Sequence, residues 1–218
     1  MKCGVKLMKL SLFCILLLFV VCALPACDRP QLTGVDFDTI DTSSDPEQVP
    51  VSPGEPVVIT VKKSSFTLIP MARYKLSGRV VSTESYSDGW ESTLSPVDLA
   101  IVWGKPAEPS YDKYISYSHS GRWYFFKMKA DSPLDTTYVA NHSANNHIVP
   151  VNQNVSRAVQ SVSKKDKVVL EGFLVNVRGV VKGKEVGWNT SLSRTDTGNG
   201  SCELFYVTKA RIESKVYE

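Results

Sequence analysis

The spacing of apolar positions divides the chain into short strands with one helix set late among them. Val155, Ala158, Val159 and Val162 recur at helical intervals, one stripe on a helix of about three turns. Pro150 precedes that stripe, Asn152 or Asn154 can cap it, and Lys164 and Lys165 follow at its C-terminal side. Residues 167–177 are apolar on both faces, which predicts a strand covered on both sides, and Gly172 in its middle predicts a bulge or tight bend.

Upstream, β-prone runs fall at 57–61, 66–69, 74–82 and 97–103, with Gly78 central in the third. Residues 86–95 read as a polar turn hinged on Asp88-Gly89. Residues 114–117 and 123–128 flank Ser120-Gly121 as a hairpin, and 136–140 reads as a further strand. Returning strands are expected at 185–191 and 203–214. The pattern is mainly β with one short helix between two late strands. That order predicts an OB-like β-barrel, with an antiparallel β-sandwich as the alternative.

The N-terminus carries an address. Lys2, Lys6 and Lys9 precede a nearly unbroken apolar run, 10–24, too short for a comfortable membrane span and suited to a signal peptide. Leu24-Pro25-Ala26-Cys27 resembles the lipobox of bacterial lipoproteins, in which the cysteine is lipidated and becomes the N-terminus; Pro25 departs from the usual residue there. An ordinary secretory signal is the competing reading. Residues 1–26 are thus expected to be a lipoprotein signal peptide and Cys27 the lipidation site, with the mature domain outside the cytoplasm. Asp28 after Cys27 resembles an inner-membrane retention signal of some bacteria, a lineage-dependent rule that leaves inner or outer membrane open.

Composition changes abruptly after the cysteine. Residues 28–55 hold seven acids against the single base Arg29 and few large apolar side chains, which predicts a flexible acidic tether over 27–55. The remainder, 56–218, has 21 bases against 15 acids and reads as one β-rich domain. Its mild basicity fits a solvated lysine-rich surface better than an acidic ligand. Cys202 is the one cysteine of that domain, so no internal disulfide framework is expected. Asn-x-Ser sequons at 141, 154, 189 and 199 follow from Asn- and Ser-rich composition beside a lipobox.

Candidate chemistry concentrates in two polar runs. His142 and His147 lie among asparagines, and Asp196, Cys202 and Glu203 lie in the other run. Imidazole, thiolate and carboxylate together could hold zinc, although the spacing matches no standard motif. Cys202 could be a nucleophile with either histidine as base. Asp196, Asn199 and Glu203 could ligate calcium, but the loop pattern is absent. Asp196-Thr-Gly198 resembles the aspartic-protease triplet, without the preceding apolar strand. Trp90, Trp103, Trp123 and Trp188 could stack bases or sugars. Against each stands a plain packing role.

The runs 94–104 (LSPVDLAIVWG), 142–150 (HSANNHIVP) and 196–203 (DTGNGSCE) resemble a family of uncharacterised bacterial envelope proteins of lipoprotein type. The resemblance covers most of 72–213 and implies one domain type, with no activity to transfer. The expectation is a lipid-anchored, non-enzymatic binding or assembly module of the bacterial envelope. Its partners would be the membrane, through the lipid, and an envelope protein, not nucleic acid; no cofactor is expected beyond the zinc just considered. The alternative is a metal-dependent envelope hydrolase using His142 and His147.

Overall fold

A computed structural model describes residues 29–52, 56–61, 64–196, 198 and 200–218. The expected signal peptide and the expected lipidation site Cys27 lie outside the described residues. In chain order the elements are β1 (Gly34–Val35), β2 (Glu47–Pro50), β3 (Val57–Val61), β4 (Ser64–Ser85), α1 (Gly89–Leu94), β5 (Val97–Val102), β6 (Ile115–Ser120) and β7 (Trp123–Met128). There follow α2 (Thr136–Asn141), β8 (Ser143–Pro150), α3 (Gln153–Gln160), β9 (Lys167–Val181), β10 (Lys184–Trp188), β11 (Glu203–Ile212) and β12 (Lys215–Tyr217). Two single 3-10 turns lie between β5 and β6.

The chain is mainly β. Among the described residues ten strands form one mixed sheet, and β6 and β7 pair separately as a hairpin. Pairings close on themselves through five strands: β4 to β5, β5 to β8, β8 to β11, β11 to β9, and β9 back to β4. The β8–β11 pair is parallel and the other four are antiparallel. Alternation along each strand separates two faces. Val97, Leu99, Ile101 and Trp103 join Ile148, Leu170, Leu174 and Phe205 in the cluster inside this circuit. The opposite face of β5 carries Ala100 and Val102, which pack under the β6–β7 hairpin.

Bends in the long strands make the closure possible. β4 pairs with β9 up to Arg79 and with β5 from Arg79 onward, with a register shift between Val80 and Ser82. A bulge between Val207 and Lys209 of β11 lies opposite Gly172. A Cβ on Gly172 would stand 2.0 Å from the Tyr206 carbonyl oxygen, so only glycine admits this approach.

Helix α3 forms where the apolar stripe predicted it. The Asn152 side chain accepts from the Val155 amide at 2.9 Å, a cap that contributes about 1 kcal/mol. Val155 and Val159 insert into the inner cluster, so α3 plugs one end of the circuit. The helix stops at Gln160, before Lys164 and Lys165.

Three expectations are corrected. Residues 136–140 are helical, not a strand: Asp135 accepts from the Tyr138 amide at 2.8 Å, and this cap outweighs the β preference of Thr136, Thr137 and Val139. The turn after β4 contains α1, so three short α-helices replace the one expected. The acidic segment is also docked rather than free over 29–52. β1 pairs with β12, β2 pairs with β4, and Ile40 is buried. Edge pairing needs only backbone groups, which composition does not reveal, and the acids find partners: Asp36 pairs with Arg211, and Asp45 accepts from Trp103 Nε1 at 2.8 Å.

Candidate functional site

The outer face of β5 and β8 carries a buried ionic cluster. Asp98 and His147 are register partners, and alternation turns both away from the inner cluster. Asp98 is fully buried and His147 is 3% exposed. Asp98 Oδ2 lies 2.9 Å from His147 Nδ1, at ion-pair distance but without the alignment of a hydrogen bond. Arg122, in the two-residue β6–β7 turn, donates from Nη1 to Asp98 Oδ1 at 2.8 Å and from Nη2 to the Ser95 carbonyl at 2.9 Å. Its guanidinium lies 3.8 Å from the Tyr86 ring centroid and 5.3 Å from that of Trp188. The Tyr86 hydroxyl donates to the Gly121 carbonyl. Burial, and then the nearby Asp98 charge, push the Tyr86 phenol well above its usual range.

These contacts pin the hairpin to the sheet. His119 completes the seam: Nδ1 lies 2.8 Å from Ser82 Oγ, and Nε2 lies 2.9 Å from Asn145 Oδ1. Above the cluster opens a cleft of about 690 Å³, walled by Tyr86, Trp90, Trp123, His147 and Trp188. Trp90 and Trp188 meet edge to face at 6.1 Å. A second cavity of about 210 Å³ shares Trp123, Gly198 and Cys202 with the first and continues to Asn145, Arg194 and Glu203.

Glu203 shares the face of β11 that carries Phe205 and Val207 inward. Arg194 Nη1 donates to Glu203 Oε1 at 2.9 Å, and its guanidinium lies 5.1 Å from the Tyr74 ring and 5.6 Å from that of Trp103. Burial pushes the Glu203 carboxyl up to about 8, against the pull of Arg194. Its second oxygen, Oε2, is buried without a hydrogen-bond partner among the described residues.

The residues singled out as a zinc set are dispersed. His142 caps the C-terminus of α2, where Nδ1 donates to the Tyr138 carbonyl at 2.8 Å and the ring stacks on Tyr138 at 3.9 Å. His147 stands with Asp98 and Trp188, Asp196 accepts from Ser191 Oγ at 2.7 Å, and Glu203 pairs with Arg194. Among the described residues no three His, Cys, Asp or Glu side chains are grouped to hold a metal ion. The reason lies in the strand: an interval of five from a helix end into β8 sends the two histidines to different neighbours. The Asn145 amide donates to Cys202 Sγ at 3.6 Å, and burial pushes the thiol up to about 11, opposite to what a nucleophile needs.

Sequence reasoning missed Asp98, Arg122, Tyr86 and His119. The available signal was an aspartate inside the apolar run VDLAIVW, since a carboxylate in a covered strand requires a partner. Compared with protein-family models, curated proteins and solved structures, the chain matches none.

Proposed function

We propose that this chain is a lipid-anchored bacterial envelope protein whose domain is an OB-like β-barrel serving as a non-enzymatic binding module. The barrel reading is supported by the closed five-strand circuit, its parallel closing pair, and α3 between the circuit's third and fourth strands in chain order. A sandwich of two separate sheets has no need of such closure. The observation that carries the function is the cleft. Three of the chain's four tryptophans line it, over a floor of paired buried charges that fixes its shape. Open aromatic surface on a rigid floor suits recognition.

The anchored reading gains from the docked N-terminal segment. The Gln31 amide donates to Asn154 Oδ1 at 2.5 Å, and Asn154 Nδ2 donates to the Gln31 carbonyl at 2.9 Å. Gln31 is four positions from Cys27, a reach of at most about 14 Å. A lipid on Cys27 would therefore hold the domain close to the bilayer. Leu32, Val35 and Phe37 are exposed at 51%, 50% and 87%, apolar surface suited to that interface. Among the described residues no helix is long and apolar enough to cross a membrane.

Fractionation of bacteria expressing the full chain tests both parts. Wild type should need detergent for extraction, and Cys27→Ser should release the protein. Added back to purified envelopes, the released form should sediment with them in a way that a salt wash without detergent reverses, and adding Trp123→Ala should abolish that sedimentation. Detergent-dependent extraction of Cys27→Ser would refute the lipid anchor; sedimentation indifferent to Trp123→Ala would refute the cleft.

A further inference from the structure

We infer that the groove formed by the two joined cavities binds a neutral, hydroxyl-rich oligosaccharide. The inference rests on the binding-module reading and names the ligand class of the same cleft.

The aromatic surface supplies the first argument. Trp123 is 40% exposed and has no ring partner among the described residues. Trp90 and Trp188 form a fixed corner across the cleft. The carbon-bound hydrogens on one face of a pyranose ring make a flat apolar surface that packs on such rings, while its hydroxyls stay at the edge.

The polar floor supplies the second. His147 lines the cleft but is only 3% exposed, with Nδ1 turned to Asp98. Nδ1 and Asp98 Oδ2 occupy each other as an ion pair at 2.9 Å. In the adjoining cavity Glu203 Oε2 is buried without a hydrogen-bond partner among the described residues. A buried polar atom left open beside a cavity calls for a partner from outside the fold. Sugar hydroxyls donate and accept at one atom, so they can serve the Glu203 carboxyl whether or not it carries its proton.

Charge supplies the third. Of the bases along the groove, Arg122 is paired with Asp98, and Arg194 donates to Glu203 with its guanidinium against the Tyr74 and Trp103 rings. Asp88, Glu91 and Asp196 line it without a basic partner among the described residues. The field left over is negative and repels phosphate-rich polymers, nucleic acid included. Extent agrees: Trp123, Gly198 and Cys202 line both cavities, so the second lies directly beside the first.

The experiment uses the full-length protein in detergent, titrated with chitotetraose, cellotetraose and maltotetraose, and with inorganic polyphosphate. Tryptophan emission and calorimetry report binding. At least one tetraose should bind at millimolar concentration or below, with little dependence on salt. Trp123→Ala should weaken it roughly tenfold, the size expected for one lost stacking platform. Phe125→Ala, an exposed aromatic on the same strand outside the groove, should leave it unchanged. Three outcomes would overturn the inference: no tetraose binding, tetraose binding indifferent to Trp123→Ala, or polyphosphate binding in place of the sugars. If no tetraose binds but envelope sedimentation still depends on Trp123, the oligosaccharide falls and the binding module stands. If neither depends on Trp123, both fall.

Discussion

Asp98 and His147 face each other across adjacent antiparallel strands, with Oδ2 and Nδ1 2.9 Å apart. Arg122 holds the other oxygen of the same carboxylate, so one buried aspartate joins sheet, hairpin and cleft wall. Asp98→Ala would leave the guanidinium and imidazole without their anion. Removing one member of such a cluster costs about 3 kcal/mol. The loss should show as a lower urea midpoint with unchanged slope. A change below about 1 kcal/mol would mean that the hairpin is not closed over the strands in solution.

Glu203 makes stability depend on pH in the sense opposite to a surface carboxylate. Its folded value, about 8, lies above its ordinary value of 4.5. The folded state therefore holds the proton where the unfolded chain has released it. Stability is greatest below the lower value and falls as pH rises toward the upper one. The slope from one group is at most about 1.4 kcal/mol per pH unit. Glu203→Gln should flatten the decline in melting temperature between these limits. An equally steep decline in the variant would place its cause elsewhere.

Period and capping made much of this fold legible in the sequence. The stripe of Val155, Ala158, Val159 and Val162, followed by a strand apolar on both faces, located α3 and β9 and implied closure. Gly172 marked the bend because a glycine inside an apolar strand signals close backbone approach. What escaped depends on long-range pairing. Asp98 and Arg122 are 24 positions apart, Trp103 and Asp45 are 58 apart, and neither link leaves a local pattern. His142 and His147 misled for the same reason. Proximity along the chain implied a shared site, whereas His142 stays behind as the cap of α2 and β8 takes His147 to Asp98.

The bend at Gly172 can be tested directly. Gly172→Ala would set a methyl carbon 2.0 Å from the Tyr206 carbonyl oxygen, backbone that cannot swing aside as a side chain would. Either the β9–β11 pairing opens or the bulge at Val207 moves, and the circuit loses its closure. A loss of about 3 kcal/mol is expected, at the upper end for overpacking. Gly34→Ala is the matched control for introducing the methyl group, since its backbone is not left-handed and a Cβ there meets only Val216 at an ordinary 3.7 Å. Equal losses in the two variants would show that packing at Gly172 is not the cause.

Asp45 decides whether the acidic segment belongs to the domain. Its side chain is 80% exposed, yet it accepts from the indole nitrogen of Trp103, which is fully buried. The Gly104 amide donates to the Thr42 carbonyl at 2.8 Å in the same place, and β2 lies on β4 just beyond. A free tether would exchange its amides within seconds; a docked strand should protect those of β2 that pair with β4. Asp45→Ala leaves the Trp103 donor unpaired and should lower stability by about 1 kcal/mol. The larger signal should be local, with faster hydrogen exchange across residues 40–50 and little change in α3. Unprotected amides at 47–50 in the wild type would return the segment to a tether.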